Sequence, residues 1–156
     1  MKINDKIQEF RLLGIDKDGK EGPFAFSEFA GQNVVLYFYP KDDTPGCTQE
    51  ACDFRDNFNR LTNLATVIGV SPDDIKSHKK FQEKHSLNFT LLSDTEHTLA
   101  EKFGAWQEKA MYGKKYMGIN RSTFLIDKNS VLKKIWTDVK VKGHVDEVLS
   151  EIEKLG

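Results

Sequence analysis

Apolar residues along the chain form short continuous runs separated by stripes with helical spacing. The clearest run is Val34 to Tyr39, six aliphatic or aromatic residues in succession, which is typical of a central strand covered on both faces. A second such run spans 65–70. Between the runs lies a predicted helix whose buried stripe consists of Ala51, Phe54, Phe58 and Leu61. Strand, helix and strand in this order predict a parallel βαβ unit.

Capping and turn residues predict the remaining elements. Ser71 to Asp74 carries a capping-box pattern with Pro at the first helical position, which predicts a helix start. Asp94 is expected to cap a brief helix that ends at Gly104. Hairpins are predicted around Asp18-Gly19 and around 127–130. The pattern also predicts a short strand at 89–92 and a last helix at 145–155. Together these elements predict a mixed sheet with helices on both faces.

The stretch 105–121 shows neither helical nor alternating spacing. It is therefore predicted to be a long loop, and such loops in compact domains are usually functional. Four basic side chains stand against one acidic side chain between Trp106 and Arg121. The segment is either a solvated surface, or its aromatic and Met side chains line a pocket for an alkyl chain.

Length, charge and hydrophobicity argue against several classes of protein. The 156 residues correspond to one domain, 1–156. A net charge of −1 argues against a nucleic-acid binder, which needs surplus positive charge. The longest apolar run is far shorter than the roughly 20 residues that cross a bilayer, and the N-terminus lacks the apolar core of a secretory signal. We expect a soluble, cytoplasmic protein.

The cysteines and histidines do not match common metal patterns. The C-x4-C spacing of the two cysteines differs from the C-x2-C pairs of zinc ribbons and thioredoxin-type motifs. The histidines show no HExxH pattern. We predict no metal site, and solvated surface positions for His78, His85, His97 and His144.

Cys47 occupies a position that favours a reactive thiolate. With Thr44 as the N-cap and Pro45 as the first helical residue, Cys47 lies in the first helical turn, just after the carboxyl end of a parallel strand. Unpaired backbone N–H groups and the helix dipole stabilise an anion there, and Gly46 lets the backbone approach a bound ligand. Alternatively, Cys47 is a small core side chain on the same stripe as Ala51.

Cys52 follows five residues later. Ideal helix geometry separates the two Cα atoms by about 8.6 Å, whereas a disulfide needs roughly 7 Å or less. Cys52 is therefore either an unrelated thiol or a partner that bonds Cys47 only after the helix begins to unwind.

The segment from Pro40 to Cys52 reads PKDDTPGCTQEAC. It resembles the active-site segment of peroxiredoxins of the bacterioferritin comigratory protein, or peroxiredoxin Q, group. Its P-x3-T-x2-C pattern is highly specific, and an Arg just before a late strand accompanies it. The resemblance extends over nearly the whole chain through the segments 54–56, 77–81, 89–94 and 121–127.

This resemblance implies a thioredoxin-like three-layer α/β fold with an N-terminal hairpin extension. It implies a thiol peroxidase that reduces hydrogen peroxide and organic hydroperoxides without metal, flavin or other cofactor, and that is recycled by thioredoxin or a similar dithiol. It assigns Cys47 as the peroxidatic and Cys52 as the resolving cysteine, which would form an intramolecular disulfide. It places Thr44 and Arg121 in the substrate pocket, with Pro40 shielding the reactive sulfur.

The side chains around Cys47 suit that chemistry, although each also has a simpler interpretation. The forked guanidinium of Arg121 can donate to sulfur and peroxide together, or it forms a surface ion pair. The Thr44 hydroxyl can contact the peroxide, or it only caps the helix. Glu50 is a supporting residue that orients the Arg, or it only favours the helix dipole.

Because both thiols belong to one chain, we expect a monomer. Two other functions remain compatible with the sequence: a disulfide oxidoreductase that acts on protein thiols, and a non-catalytic chaperone or interaction module on a thioredoxin-like scaffold.

Overall fold

The computed structural model describes residues 1–61 and 63–155. Within this part of the chain, none of the helices is both long and apolar enough to span a membrane. A short 3-10 helix covers Phe26–Phe29. The strands are β1 (Arg11–Ile15), β2 (Glu21–Ala25), β3 (Val34–Phe38), β4 (Thr66–Ser71), β5 (Thr90–Ser93), β6 (Trp106–Met111), β7 (Lys114–Ile119), β8 (Ser122–Ile126) and β9 (Leu132–Trp136). The α-helices are α1 (Pro45–Asp56), α2 (Phe58–Leu61), α3 (Ile75–His85), α4 (Thr98–Lys102) and α5 (His144–Lys154).

Seven of these strands form one mixed sheet in the order β2-β1-β5-β4-β3-β8-β9. Strands β3, β4 and β5 are parallel at its centre, whereas β1 and β8 run antiparallel beside them. The predicted βαβ unit is confirmed, because α1 and α2 connect two strands that pair in parallel. The predicted N-terminal and 127–130 hairpins are confirmed as well.

The core lies on both faces of this sheet, because side chains of β3 alternate between them. Val34, Leu36 and Phe38 join one apolar cluster with residues of α4 and the 3-10 helix. Val35 and Tyr37 join the other, which includes residues of α1, α3 and α5. The expected mixed sheet with helices on both faces is therefore confirmed. Cys47 belongs to the second cluster.

The stretch predicted as a long loop is instead a two-stranded hairpin, β6–β7, in a sheet of its own. Its turn is Tyr112-Gly113, and both residues have positive φ, 52° and 77°, as a type I′ hairpin turn requires. Most side chains of this hairpin are exposed, Tyr112 at 97% and Met111 at 56%. The sequence shows no alternation here because the hairpin packs against the core only at its base, through Trp106 and Ile119.

Three helix boundaries differ from the prediction. Helix α4 has His97 as its N-cap residue and not Asp94, although the Asp94 carboxylate accepts hydrogen bonds from two backbone N–H groups of this helix. Ser71 ends β4, where it pairs with Ser93, and α3 begins only after Asp74, whose carboxylate accepts a hydrogen bond from Ser77 N at 2.8 Å. The predicted helix through Leu61 is interrupted at Asn57, which caps the end of α1. The side chain of Phe58 lies outside the described part of the structure.

Candidate active site

The first turn of α1 follows the carboxyl end of β3. Thr44 is the N-cap residue, with extended backbone, and Thr48 N donates to its carbonyl at 2.8 Å. The prediction that the Thr44 side chain caps the helix is wrong, because its hydroxyl donates to the Lys41 carbonyl at 2.8 Å. With its proton used in this way, the hydroxyl oxygen faces any further partner as a hydrogen-bond acceptor.

Arg121 joins Cys47 to Glu50. One guanidinium nitrogen, Nη2, lies 3.3 Å from Cys47 Sγ, and Nη1 lies 2.7 Å from Glu50 Oε1. Cys47 is 2% exposed and Glu50 is fully buried, whereas 16% of the Arg121 side chain is exposed. The interpretation of Arg121 as an exposed surface pair is therefore wrong. The structure brings together three of the predicted site residues from positions 71 and 74 residues apart in the chain.

A glycine makes this approach possible. A Cβ atom at Gly46 would lie 3.2 Å from Arg121 Nη2 and 3.9 Å from its Cζ, which is tighter than ordinary packing. The sequence predicts that Gly46 makes room for a bound ligand. In the structure, the group that passes closely over Gly46 is the Arg121 guanidinium.

Burial and charge act against each other at the carboxylate of this site. Burial raises the pKa of Glu50 to about 7, although the charge and hydrogen bond of Arg121 oppose the rise. Burial alone would lower the pKa of Arg121, but Glu50 and Cys47 raise it above its ordinary value. The guanidinium therefore stays charged, while the Glu50 carboxyl titrates near neutral pH.

Tyr37, which the sequence does not indicate as a site residue, lies near Glu50 and Cys47. The hydroxyl of Tyr37 is buried and has no hydrogen-bond partner in the described part of the chain, and the same is true of Glu50 Oε2. Burial, followed by the charges of Glu50 and Cys47, raises the pKa of Tyr37 well above its usual range. Tyr37 therefore remains a neutral phenol beside the site. Its position in a continuous apolar run gave no signal of this.

Lys109 is a second cation near the site. Its Nζ donates to the Ile119 carbonyl at 2.5 Å, two residues before Arg121. Burial and the charge of Arg121 lower the pKa of Lys109, and Cys47 opposes this. In the sequence, Lys109 is only one of four positive charges in a stretch that is predicted to be a loop. The hairpin geometry that brings it back to the start of β8 was the missing information.

The remaining predicted site residues, Cys52 and Pro40, lie within α1 and in the segment that precedes it. Cys47 and Cys52 are both free thiols, and Cys52, half-buried, is five residues further along the uninterrupted α1. Pro40 is half-buried between the end of β3 and the loop that leads to α1.

The prediction that the histidines are solvated is wrong for two of them. His78 is fully buried and His144 is 3% exposed, because each finds polar partners inside the fold. His144 Nε2 forms a hydrogen bond with Thr123 Oγ1 at 2.8 Å. Burial, helped by the charge of Arg121, lowers the pKa of His144 to about 4, so this ring is neutral at physiological pH.

Comparison with known proteins gives independent evidence on the family of this chain. Residues 3–135 match the model of the AhpC/TSA family. The chain is 57% identical to Peroxiredoxin Bcp of Bacillus subtilis over 130 residues, which are 83% of each chain. The solved structure of a Cys-to-Ser mutant of Xylella fastidiosa PrxQ superposes with a TM-score of 0.91 at 36% identity, covering 99% of this chain and 96% of that one. The bacterioferritin comigratory protein of Xanthomonas campestris, studied for its alkyl peroxide reduction activity, gives a TM-score of 0.84 at 38% identity, covering 92% and 90%.

Proposed function

The chain belongs to the AhpC/TSA family as a peroxiredoxin of the Bcp and PrxQ group, a thioredoxin-fold peroxidase, and we propose that Cys47 carries its peroxidase chemistry. The observation that supports this assignment is the contact of Arg121 with Cys47 Sγ at 3.3 Å while its other nitrogen holds Glu50. A fixed, permanently charged donor beside a thiol at a helix N-terminus favours a thiolate and stabilises the negative charge that develops when it reacts.

In the first step, the Cys47 thiolate attacks one oxygen of a hydroperoxide. The O–O bond breaks, Cys47 becomes a sulfenic acid, and the second oxygen leaves as hydroxide or alkoxide that takes up a proton. Arg121 donates to the sulfur and to the departing oxygen, as its fork allows. The Thr44 hydroxyl, whose proton is bound to the Lys41 carbonyl, accepts a hydrogen bond from the peroxide O–H, and Pro40 shields the sulfur from water.

In the second step, the Cys52 thiol attacks the Cys47 sulfenic acid. An S–S bond forms and the S–O bond breaks, which releases water. The two residues belong to one intact helix, where their Cα atoms would be about 8.6 Å apart. The first turns of α1 must therefore unwind before the disulfide can form.

In the third step, an external dithiol reduces the disulfide and becomes a disulfide itself. We propose that thioredoxin or a similar dithiol protein is the reductant. We also propose that the reaction takes place in the cytoplasm. Since both cysteines belong to one chain, the cycle needs no second subunit and operates in a monomer. Hydrogen peroxide and organic hydroperoxides are both substrates, because the contacts described here involve only the peroxide oxygens.

The test is peroxide consumption by the reduced, full-length protein. We expect one equivalent consumed and one intramolecular disulfide formed per molecule, followed by turnover when thioredoxin, its reductase and NADPH are added. Cys47→Ser should reduce peroxide loss to the buffer rate, because a hydroxyl offers no comparable anion. Peroxide loss at the buffer rate in the wild type, with reduction of insulin disulfides instead, would contradict the proposal.

A further inference from the structure

The loop between β3 and α1 is held by a buried polar network that none of these steps uses. Asp42 is 6% exposed and Tyr39 is 1% exposed. The Asp42 carboxylate accepts hydrogen bonds from the Tyr39 hydroxyl at 2.6 Å, from His78 Nδ1 at 2.7 Å and from the Ser77 hydroxyl at 2.8 Å. Two of these donors lie on α3, so this helix fixes the loop that leads to Cys47.

The two hydrogen-bond partners of the His78 ring favour its charged form. Its Nδ1 faces the Asp42 carboxylate, and its Nε2 faces the Leu92 carbonyl at 2.9 Å. Both groups are acceptors, so each ring nitrogen donates and the ring carries both protons. Burial alone would lower the pKa of His78, but Asp42 first, then the Leu92 carbonyl and Asp73, raise it above its ordinary value. The ionisable groups facing the ring are the Asp42 and Asp73 carboxylates and the Tyr39 phenol.

The side chains of this network that could ligate a metal ion are already used in hydrogen bonds. Asp42, Asp73 and His78 present atoms within 4.8 Å of one another. Asp73 Oδ2, however, already accepts from Asp42 N at 2.8 Å and from the Ser71 hydroxyl at 2.6 Å, and both nitrogens of His78 are engaged. The cluster is therefore an internal hydrogen-bond network that joins the loop to β4 and α3.

The next residue attaches the loop to α3 a second time. Asp43 has a φ of 58°, a backbone conformation that needs support from its surroundings. Its carboxylate binds Lys84 Nζ at 2.8 Å and His85 Nε2 at 3.0 Å. Thr44, the N-cap of α1, follows immediately. A shift of this loop would therefore shift the start of α1 and Cys47 with it.

We propose that His78 is a positioning residue for Cys47, because its charged ring holds Asp42 and with it the segment 39–44 that sets the start of α1. The inference rests on the proposed role of Cys47 as the residue that attacks the peroxide. Loss of a proton from His78 leaves a lone pair facing an acceptor oxygen, so the ring loses one of its two contacts and the loop loosens. The oxidation rate should therefore decline at alkaline pH, where the ring loses its proton.

The direct test is nuclear magnetic resonance of the reduced, 15N-labelled full-length protein. We expect both ring nitrogens of His78 to be protonated at pH 7, and the amides of residues 41–44 to shift with the midpoint at which the ring loses its proton. A His78 ring with one protonated nitrogen at pH 7 would overturn the proposal. So would amides of 41–44 that do not follow its titration.

The kinetic test compares His78→Gln with Tyr39→Phe, which removes an uncharged donor from the same carboxylate. The rate constant for oxidation by hydrogen peroxide is measured from pH 6 to pH 10. His78→Gln should be slower by about tenfold to a hundredfold, since a misplacement of about 1 Å can cost about 10²-fold, and it should lack the alkaline decline. Tyr39→Phe should keep the decline.

The two proposals fail in different ways. A folded His78→Gln with the wild-type rate and profile would overturn the role of His78 while leaving Cys47 in place. A wild type that consumes no peroxide at Cys47 would overturn the proposed function, whereas the magnetic resonance experiment would still decide the state of His78. If His78→Gln does not fold, that experiment on the wild type decides alone.

Discussion

Two consecutive segments of the chain, 39–44 and 45–53, differ sharply in how they are held. The first is attached to α3 at Asp42 and Asp43 through buried or charged hydrogen bonds. The second is the start of α1, where Pro45 and Gly46 are poor helix formers, although buried side chains of this segment contact Arg121. A loop attached to α3 thus runs directly into a helix start of low intrinsic helix propensity.

The far end of the second segment is attached to the same helix. Arg55 Nη1 donates to the His85 carbonyl at 2.6 Å. Helix α3 therefore holds the chain on both sides of 45–53. We therefore expect the proposed rearrangement that joins Cys47 and Cys52 to be confined between these two attachments, with the rest of the fold unchanged.

The largest expected effect separates the two thiols. Cys52→Ser should lose all turnover supported by thioredoxin while still consuming one equivalent of peroxide, because Cys47 stops as a sulfenic acid. Its first oxidation should proceed at nearly the wild-type rate, and α1 should remain helical. Mass spectrometry of the treated variant should find one added oxygen on the peptide that contains Cys47; an oxygen elsewhere would contradict the assignment.

The next effect tests the contact that fixes the second segment in the reduced state. Arg121→Lys should slow oxidation by about 10²-fold, the usual cost of losing one donor to a developing anion, since an ammonium cannot bind sulfur and Glu50 in the same fork. Reduction by thioredoxin should be unaffected. Arg60→Lys is the matched control, because Arg60 pairs with Glu153 on the surface. Equal oxidation rates in the two variants would remove Arg121 from the site.

A smaller effect concerns Glu50 and pH. Its pKa is raised from 4.5 to about 7 in the folded protein, so the folded chain keeps a proton that the unfolded chain has lost between these pH values. The stabilisation from this proton is present in full below pH 4.5 and is lost as the pH rises to about 7. Glu50→Gln should remove this dependence, which is worth about 3 kcal/mol, from unfolding measured at pH 5 to 8.

The pKa of His144 is shifted down, so its effect on stability has the opposite pH dependence to that of Glu50. Its pKa is lowered to about 4 from 6.5, so the unfolded chain takes up a proton first and the free energy of unfolding falls as the pH drops from 6.5 toward 4. His144→Gln should remove that acid loss and leave the contribution of Glu50 intact. If Glu50→Gln shows the same pH slope as the wild type, the raised pKa of Glu50 is contradicted.

The smallest effect lies at the junction of the two segments. Thr44→Val keeps the shape of the side chain but removes the hydrogen bond to the Lys41 carbonyl, so the free energy of unfolding should fall by about 1 kcal/mol. Oxidation should also slow, because the acceptor for the peroxide proton is lost. Thr48→Val, in the same helical turn, is the control. Identical effects on oxidation would leave Thr44 with a structural role only.

Features encoded by neighbouring residues could be predicted from the sequence. The apolar run of β3 and Pro45 located the central strand and the start of α1, because period and capping act over a few residues. The pair of Asp42 and His78 could not be found in this way, since 36 residues separate them and a histidine on a polar helix gives no signal of burial. Hairpin β6–β7 was missed because its exposed faces show no alternation.

The active site itself was predictable only in part. The position of Cys47 follows from local helix chemistry, but its contact with Arg121 spans 74 residues. Family resemblance alone supplied that partner. Glu50 lies one turn after Cys47, and its sequence position suggested a favourable dipole contact. Its full burial against Arg121 depends on β8, which the local pattern does not place.

Oxidation should unwind 45–53 and leave 39–44 in place. Amide hydrogen exchange of the reduced and the peroxide-oxidised protein, resolved along residues 39–57, tests this expectation directly. We predict faster exchange across 48–53 after oxidation, because these N–H groups lose their helical partners, with unchanged protection in 39–44. Protected amides throughout 48–53 in the oxidised protein would contradict a Cys47–Cys52 disulfide, and with it the role of Cys52.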